Sequence, residues 1–239
     1  MSDQDKEKAT DKAASKTAPE KKRKKWPIVV GIVVVVLVVA GCGMWVWHSQ
    51  PSFCNAFCHT PMDPYVQTYE EPSNQAGTDK WGNEVSNTNA MLAVTHRDAG
   101  DNCLSCHVPT ISQQVGEVGE EISGNYYYPL DEVSGDDLQS NSGHEGGGDG
   151  FCLRSGCHNS LTPDGSDLTR DNLTELTSDM SFNPHRWQHG QIACTQCHKS
   201  HRASVFYCTQ CHSEAESAVP DGWVDYSEGQ SLQRASTQS

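Results

Sequence analysis

One pattern constrains this chain more than any other. A cysteine pair followed at once by histidine occurs five times, as Cys54-Asn-Ala-Phe-Cys58-His59, Cys103-Leu-Ser-Cys106-His107, Cys152-Leu-Arg-Ser-Gly-Cys157-His158, Cys194-Thr-Gln-Cys197-His198 and Cys208-Thr-Gln-Cys211-His212. The pairs use ten of the eleven cysteines and leave only Cys42. With 35% hydrophobic and 8% aromatic residues, the side chains alone make a thin core, so something else must supply apolar volume. The formal charge of −14 speaks against a nucleic-acid partner, because a polyanion is held by a basic surface that displaces its counterions.

Three of the pairs are Cys-x-x-Cys-His, the attachment motif of c-type haem, and two carry one or two further residues between the thiols. The chemistry sets this spacing. Two thiols add to the two vinyl groups on one porphyrin edge, so they must lie a short fixed distance apart, and the adjacent histidine coordinates iron as the proximal ligand. Extra residues between the thiols can loop out. Structural zinc also uses cysteine and histidine, but it takes four ligands from two such half-sites, and an odd number of pairs leaves one unmatched. Thioredoxin-like dithiols need a βαβ context that the sequence lacks. Disulfides suit an extracytoplasmic chain, yet they give the five following histidines no role.

The histidines supply a second test. Five proximal ligands, His59, His107, His158, His198 and His212, leave His48, His96, His144, His185, His189 and His201 as six candidates for at most five distal positions. Bis-histidine ligation suits haems that pass electrons rather than bind substrates. The expected fold is a multihaem cytochrome c: one N-terminal transmembrane helix, then short helices and loops wrapped around five covalent c haems, with little β structure. About 190 residues then serve five porphyrins, and cofactor and chain bury one another.

Charge divides the chain. Residues 1–25 hold nine Lys/Arg and five acids, a net +4, against −18 for the remainder. Between them Trp26 to Trp47 carries no charge over twenty-two residues, enough helix to cross a hydrocarbon core of about 30 Å. Lys21 to Lys25 place the N-terminus in the cytoplasm, Trp26, Trp45 and Trp47 suit the interfaces, and everything after His48 is expected outside, on a single-pass membrane protein. Val39-Ala40-Gly41-Cys42 also reads as a lipobox, which would keep the chain on the membrane by lipidation of Cys42.

The expected domains are a disordered basic tail (1–25), the anchor (26–47), a di-haem region (48–123), a linker (124–150), a tri-haem region (151–219) and a C-terminal tail (220–239). The last is expected to be largely disordered, with local docking by Trp223, Val224 and Tyr226. Thr110 to Ser123 places Ile111, Val115, Val118 and Ile122 on one helical stripe. Two readings of that stripe stand together, a cover for a haem edge or a surface lying on the bilayer. Gly146-Gly-Gly148 marks the linker, where His144 also reads as a plain loop residue.

The segment from Cys54, C-N-A-F-C-H-T-P-M-D-P-Y-V-Q-T-Y, with T-H-R-D-A-G-D-N-C-L-S-C-H-V-P after it and one anchor before it, resembles the NapC/NirT/NrfH family of membrane-anchored multihaem quinol dehydrogenases over residues 26–123. The resemblance implies quinol oxidation at the first haem and Met62 as an axial ligand there. Asn183-Pro-His185-Arg-Trp-Gln-His189, the motifs at Cys194 and Cys208, and His201 are similar to the haem domain of flavocytochrome c fumarate reductases. That similarity implies distal roles for His185, His189 and His201, and for His96 upstream of Cys103.

The functional expectation is electron transfer from quinol, menaquinol by preference, to an extracytoplasmic reductase, a separate flavoprotein because this chain has no flavin-binding sequence. The alternative is a terminal multihaem reductase acting directly on nitrite, a metal or a similar acceptor. Lys80, Arg97 and Asp98 are polar candidates for a quinol site, with solvated loop charges as the plainer reading.

Overall fold

The computed structural model describes residues 25–107, 110–125, 149–153, 157–158, 162, 168–186 and 188–236, with the backbone alone for 57–61, 149 and 233–236. The basic tail, nearly all of the linker and His144 lie outside the described residues. Two compact units emerge, residues 1–43 and 44–239.

Helix α1 (Trp26–His48) is apolar on every side and has no buried residue. Its 23 residues rise about 34 Å at the helical repeat, so it is long and apolar enough to cross a membrane.

Residues 44–239 use short elements. Helix α2 (Pro51–Glu70) starts with proline in its first turn, where the missing N–H costs nothing. Strand β1 (Gly77–Thr78) pairs antiparallel with β2 (Glu84–Val85). Between them Asp79 Oδ1 accepts from the backbone N–H of Trp81 and Asn83 at 2.8 and 2.9 Å and closes the turn. Helices α3 (Leu92–Ala99), α4 (Cys103–Cys106) and α5 (Ile111–Ser123) follow. Next come α6 (Asp149–Cys152), α7 (Arg170–Leu176) and α8 (Cys194–Cys197). Strand β3 (Val205–Phe206) pairs parallel with β4 (Val224–Asp225), and α9 (Tyr226–Ser236) ends the described chain.

The protein-built core is small. Val85, Ala90, Met91, Val94 and Ala203 form one buried cluster, with Trp223 and Val224 packed against it. Its frame is a seam between distant stretches: Leu92 and Ala93 N–H donate to Lys199 and Ser200 carbonyls at 2.9 and 3.0 Å, and Ser204 N–H donates to Ala90 O at 3.1 Å. The buried Ser204 Oγ donates to the same carbonyl at 2.6 Å. Residues of the expected di-haem and tri-haem regions thus share one core.

The C-terminal tail departs from the expected disorder. Val224 pairs with Val205, Trp223 packs edge-on against His198 and Tyr226 against Tyr207. The chain then continues as α9. Asp225 Oδ1 accepts from Glu228 N–H at 2.8 Å, a side-chain cap that satisfies a first-turn donor. Gly229 lets the helix approach Val205 so closely that a Cβ there would sit 2.7 Å from a valine methyl.

Candidate haem-binding sites

The described Cys-x-x-Cys pairs lie on single helical turns. Cys103–Cys106 forms α4, capped by Asn102, whose side chain accepts from Leu104 N–H. Cys194–Cys197 forms α8, and Cys208 sits on a 3₁₀ turn over Tyr207–Gln210. Residues three apart share a helix face, so one turn presents both thiols together. In the first pair the extra residue does not loop out. α2 runs unbroken through Cys54 and Cys58, because residues four apart share a face as well. The side chains of Cys58 and His59 lie outside the described set. In the third pair, the residues between Leu153 and Cys157 do so too.

None of the described cysteines is bonded to another. Burial raises the thiols of Cys54, Cys103, Cys197 and Cys208. Reactive dithiols are favoured by the opposite shift, toward the thiolate. Among the described residues no three His, Cys, Asp or Glu side chains converge as a metal cage.

The histidines instead meet in twos. The His96 and His158 rings lie 6.1 Å apart at 84°, and those of His189 and His212 lie 5.9 Å apart at 44°. Two imidazoles each bound through one nitrogen, at about 2.0 Å, to a shared ion have centroids roughly 6 Å apart. His201 stays neutral down to about 3, through burial first and then the nearby His107 and Lys80. His198 is lowered to about 4 by burial, then by His185, His158 and His96. Ring geometry thus brings together His96 with His158 and His189 with His212, while His107 is near His201 and His185 near His198.

Hydrogen bonds orient several of these rings. The contact from His96 Nδ1 to Leu92 O is 2.8 Å, and a carbonyl only accepts, so Nδ1 carries the proton. Thr68 Oγ1 donates to Tyr65 O and so accepts from His201 Nδ1 at 2.7 Å. Thr177 Oγ1 donates to Leu173 O and accepts from His185 Nδ1 at 3.0 Å. His212 Nδ1 lies 3.5 Å from Glu214 Oε1. Each contact leaves Nε2 free as a ligand, the arrangement that fixes tautomer and ring direction at metal sites. Thr68, Thr177 and Glu214 were not legible in the sequence, where nothing links a threonine to a histidine 133 residues away.

His48 differs. Its Nε2 lies 3.3 Å from Gln114 Nε2; the amide nitrogen only donates, so His48 Nε2 accepts and is already engaged. Its ring packs edge-on against Phe53. Met62 is half-buried on α2, one turn beyond His59.

The polar candidates for a quinol site have structural employment. Arg97 donates to the Tyr69 and Glu71 carbonyls and to Asp98 Oδ1. The Asp98 carboxyl is lowered by its hydrogen bonds to Arg97 and Ser73. Lys80 sits over the Trp81 ring at 4.7 Å and the Tyr65 ring at 5.5 Å.

Comparison with known proteins places this arrangement. Residues 47–213 match the family model described as cytochrome c3. The cytochrome c-type protein Cgr1 of Eggerthella lenta is 56% identical over 217 residues, covering 91% of this chain and 95% of that protein. No solved structure matches.

Proposed function

The chain belongs to the cytochrome c3 family of multihaem c-type cytochromes, and from that premise we propose that it is a membrane-anchored pentahaem cytochrome carrying electrons from menaquinol to an extracytoplasmic flavoprotein reductase. Covalent haem c and electron transfer follow from the family; the number five, the donor and the acceptor are this reading's own.

The observation that carries the reading is the succession of histidine pairs. The Cys54 thiol is raised by burial and by the nearby Cys103, which sets the first motif beside the second. His198 is lowered in part by His158 and His96, so the third and fourth pairs are neighbours. Cys208 lies close enough to raise Cys197, which sets the fifth motif beside the fourth. Haems held at such neighbouring motifs would supply a conductor, and the chain's own work would be to orient and desolvate the imidazoles.

Quinol oxidation releases two electrons and two protons; bound haems would take up the electrons, and the protons would leave to solvent at the membrane face. The resemblance to the NapC/NirT/NrfH family over residues 26–123 supports quinol as donor at the first motif. The similarity of residues 183–212 to the haem domain of flavocytochrome c fumarate reductases supports a flavoprotein acceptor. The −18 carried by residues 26–239 suits a partner with a basic docking face. The test uses full-length protein in lipid vesicles. A menaquinol analogue should reduce the haems, and a competent flavoprotein with its substrate should reoxidise them. Haems that stay oxidised in excess quinol would remove the donor assignment. Reoxidation by nitrite or metal alone would favour the terminal reductase.

A further inference from the structure

α5 presents Ile111, Val115, Val118 and Ile122 at 80%, 68%, 46% and 83% exposure. The helix is well built at both ends. Thr110 and Gln113 form a reciprocal cap, and Gly124 closes it in the left-handed region at φ 67°. An exposed stripe on so well-specified a helix needs a partner.

The helix turns a different face to the protein. Gln114 donates to His48 Nε2 at 3.3 Å, Glu117 is near enough to Cys54 to raise its thiol, and Glu121 Oε2 is buried. At 100° per residue these three positions cluster roughly a quarter-turn from the stripe. The side next to the first haem motif is therefore polar, and the stripe is not what covers it. The tether itself is informative, because His48 is the last residue of the apolar helix α1.

We propose that α5 lies in the membrane–water interface, with Ile111, Val115, Val118 and Ile122 set into the acyl boundary of a lipid bilayer. The inference rests on reading α1 as a membrane span. It places the first haem motif against lipid, where a quinol headgroup arrives. α5 carries Glu117, Glu120 and Glu121 and no Lys or Arg, so apolar burial rather than attraction to anionic lipid drives the contact.

The test is photolabelling of the full-length, haem-loaded protein in phosphatidylcholine vesicles whose acyl chains bear a diazirine. Peptides from 26–48 and from 111–122 should both carry label. In the Val115→Glu, Ile122→Glu variant, label on 111–122 should fall at least about tenfold, while label on 26–48 and haem content hold. Label confined to 26–48 would overturn the interfacial helix and keep the span. Label on neither segment would overturn the span as well. Undiminished label on 111–122 in the variant would show that the stripe is not the lipid contact. The wild-type result decides the question if the variant does not accumulate. Added phosphatidylglycerol should not raise the labelling; a several-fold rise would contradict an apolar contact.

Discussion

The first haem motif and the last two are built in contrasting ways. Cys194–Cys197 and Cys208 sit on isolated turns held by the protein's own seam. Cys197 is buried, and the residues after His198 bond across to Ala90, Leu92 and Ala93. Cys54 sits on the twenty-residue helix α2, beside the end of α1 and beside α5 with its exposed stripe. One end is enclosed by chain and the other leaves apolar surface uncovered. Insulated electron transfer calls for the first arrangement, and delivery of a lipid-soluble donor calls for the second.

The largest effect should come from removing attachment at each end. Cys194→Ala with Cys197→Ala should abolish accumulation of folded protein, because the turn adjoins the seam. Cys54→Ala with Cys58→Ala should leave a folded protein lighter by one haem, read by intact mass. Equal losses would erase the contrast. Next, Met91→Ala should cost about 2–5 kcal/mol, since a fully buried side chain leaves a cavity; Met91 is 0% exposed. Ile111→Ala, in detergent, should change stability by less than about 0.5 kcal/mol. Denaturant midpoints measure both.

The enclosed end should also be acid-sensitive. His198 and His201 have folded pKa values of about 4 and about 3, below the ordinary value near 6.5. The folded state therefore binds fewer protons than the unfolded one below that pH. Stability is greatest above pH 6.5 and falls as pH drops toward 4 and then 3, and iron on Nε2 acts in the same direction. A denaturation midpoint unchanged between pH 7 and pH 4.5 would contradict this.

Smaller is the effect of Thr68→Val, which removes the acceptor for His201 Nδ1. One haem should change its reduction potential, and Thr68→Ser should restore it; a stability change with no shift in any potential would make Thr68 a packing residue only. Smallest of all, Arg97→Gln and Asp98→Asn should leave the quinol oxidation rate within about twofold, because the pair serves the loop after α2. A larger loss would return them to the donor site.

Much of this was legible in the residues. Attachment motifs are local, so the five pairs and their histidines stand out, and the 3.6-residue stripe announces α5. Distal histidines could be counted, since supply nearly met demand, but not placed: the rings of His96 and His158 meet through a contact that spans dozens of residues. α9 was missed for another reason. Its sequence is polar and rich in serine and glutamine, and its order comes from β4 docking on β3 and from Gly229 against Val205, which no local propensity records. The unbroken α2 was hidden by reading the extra residue between Cys54 and Cys58 as an insertion, when a helix absorbs it as the next position on one face.

The proposed electron-carrying role requires iron porphyrin bound covalently at all five repeated pairs. Intact mass spectrometry of the denatured full-length protein, from cells able to mature c-type cytochromes, tests it most directly. The expected mass is that of the 26.2 kDa polypeptide plus five haem increments. A mass equal to that of the bare polypeptide would contradict it.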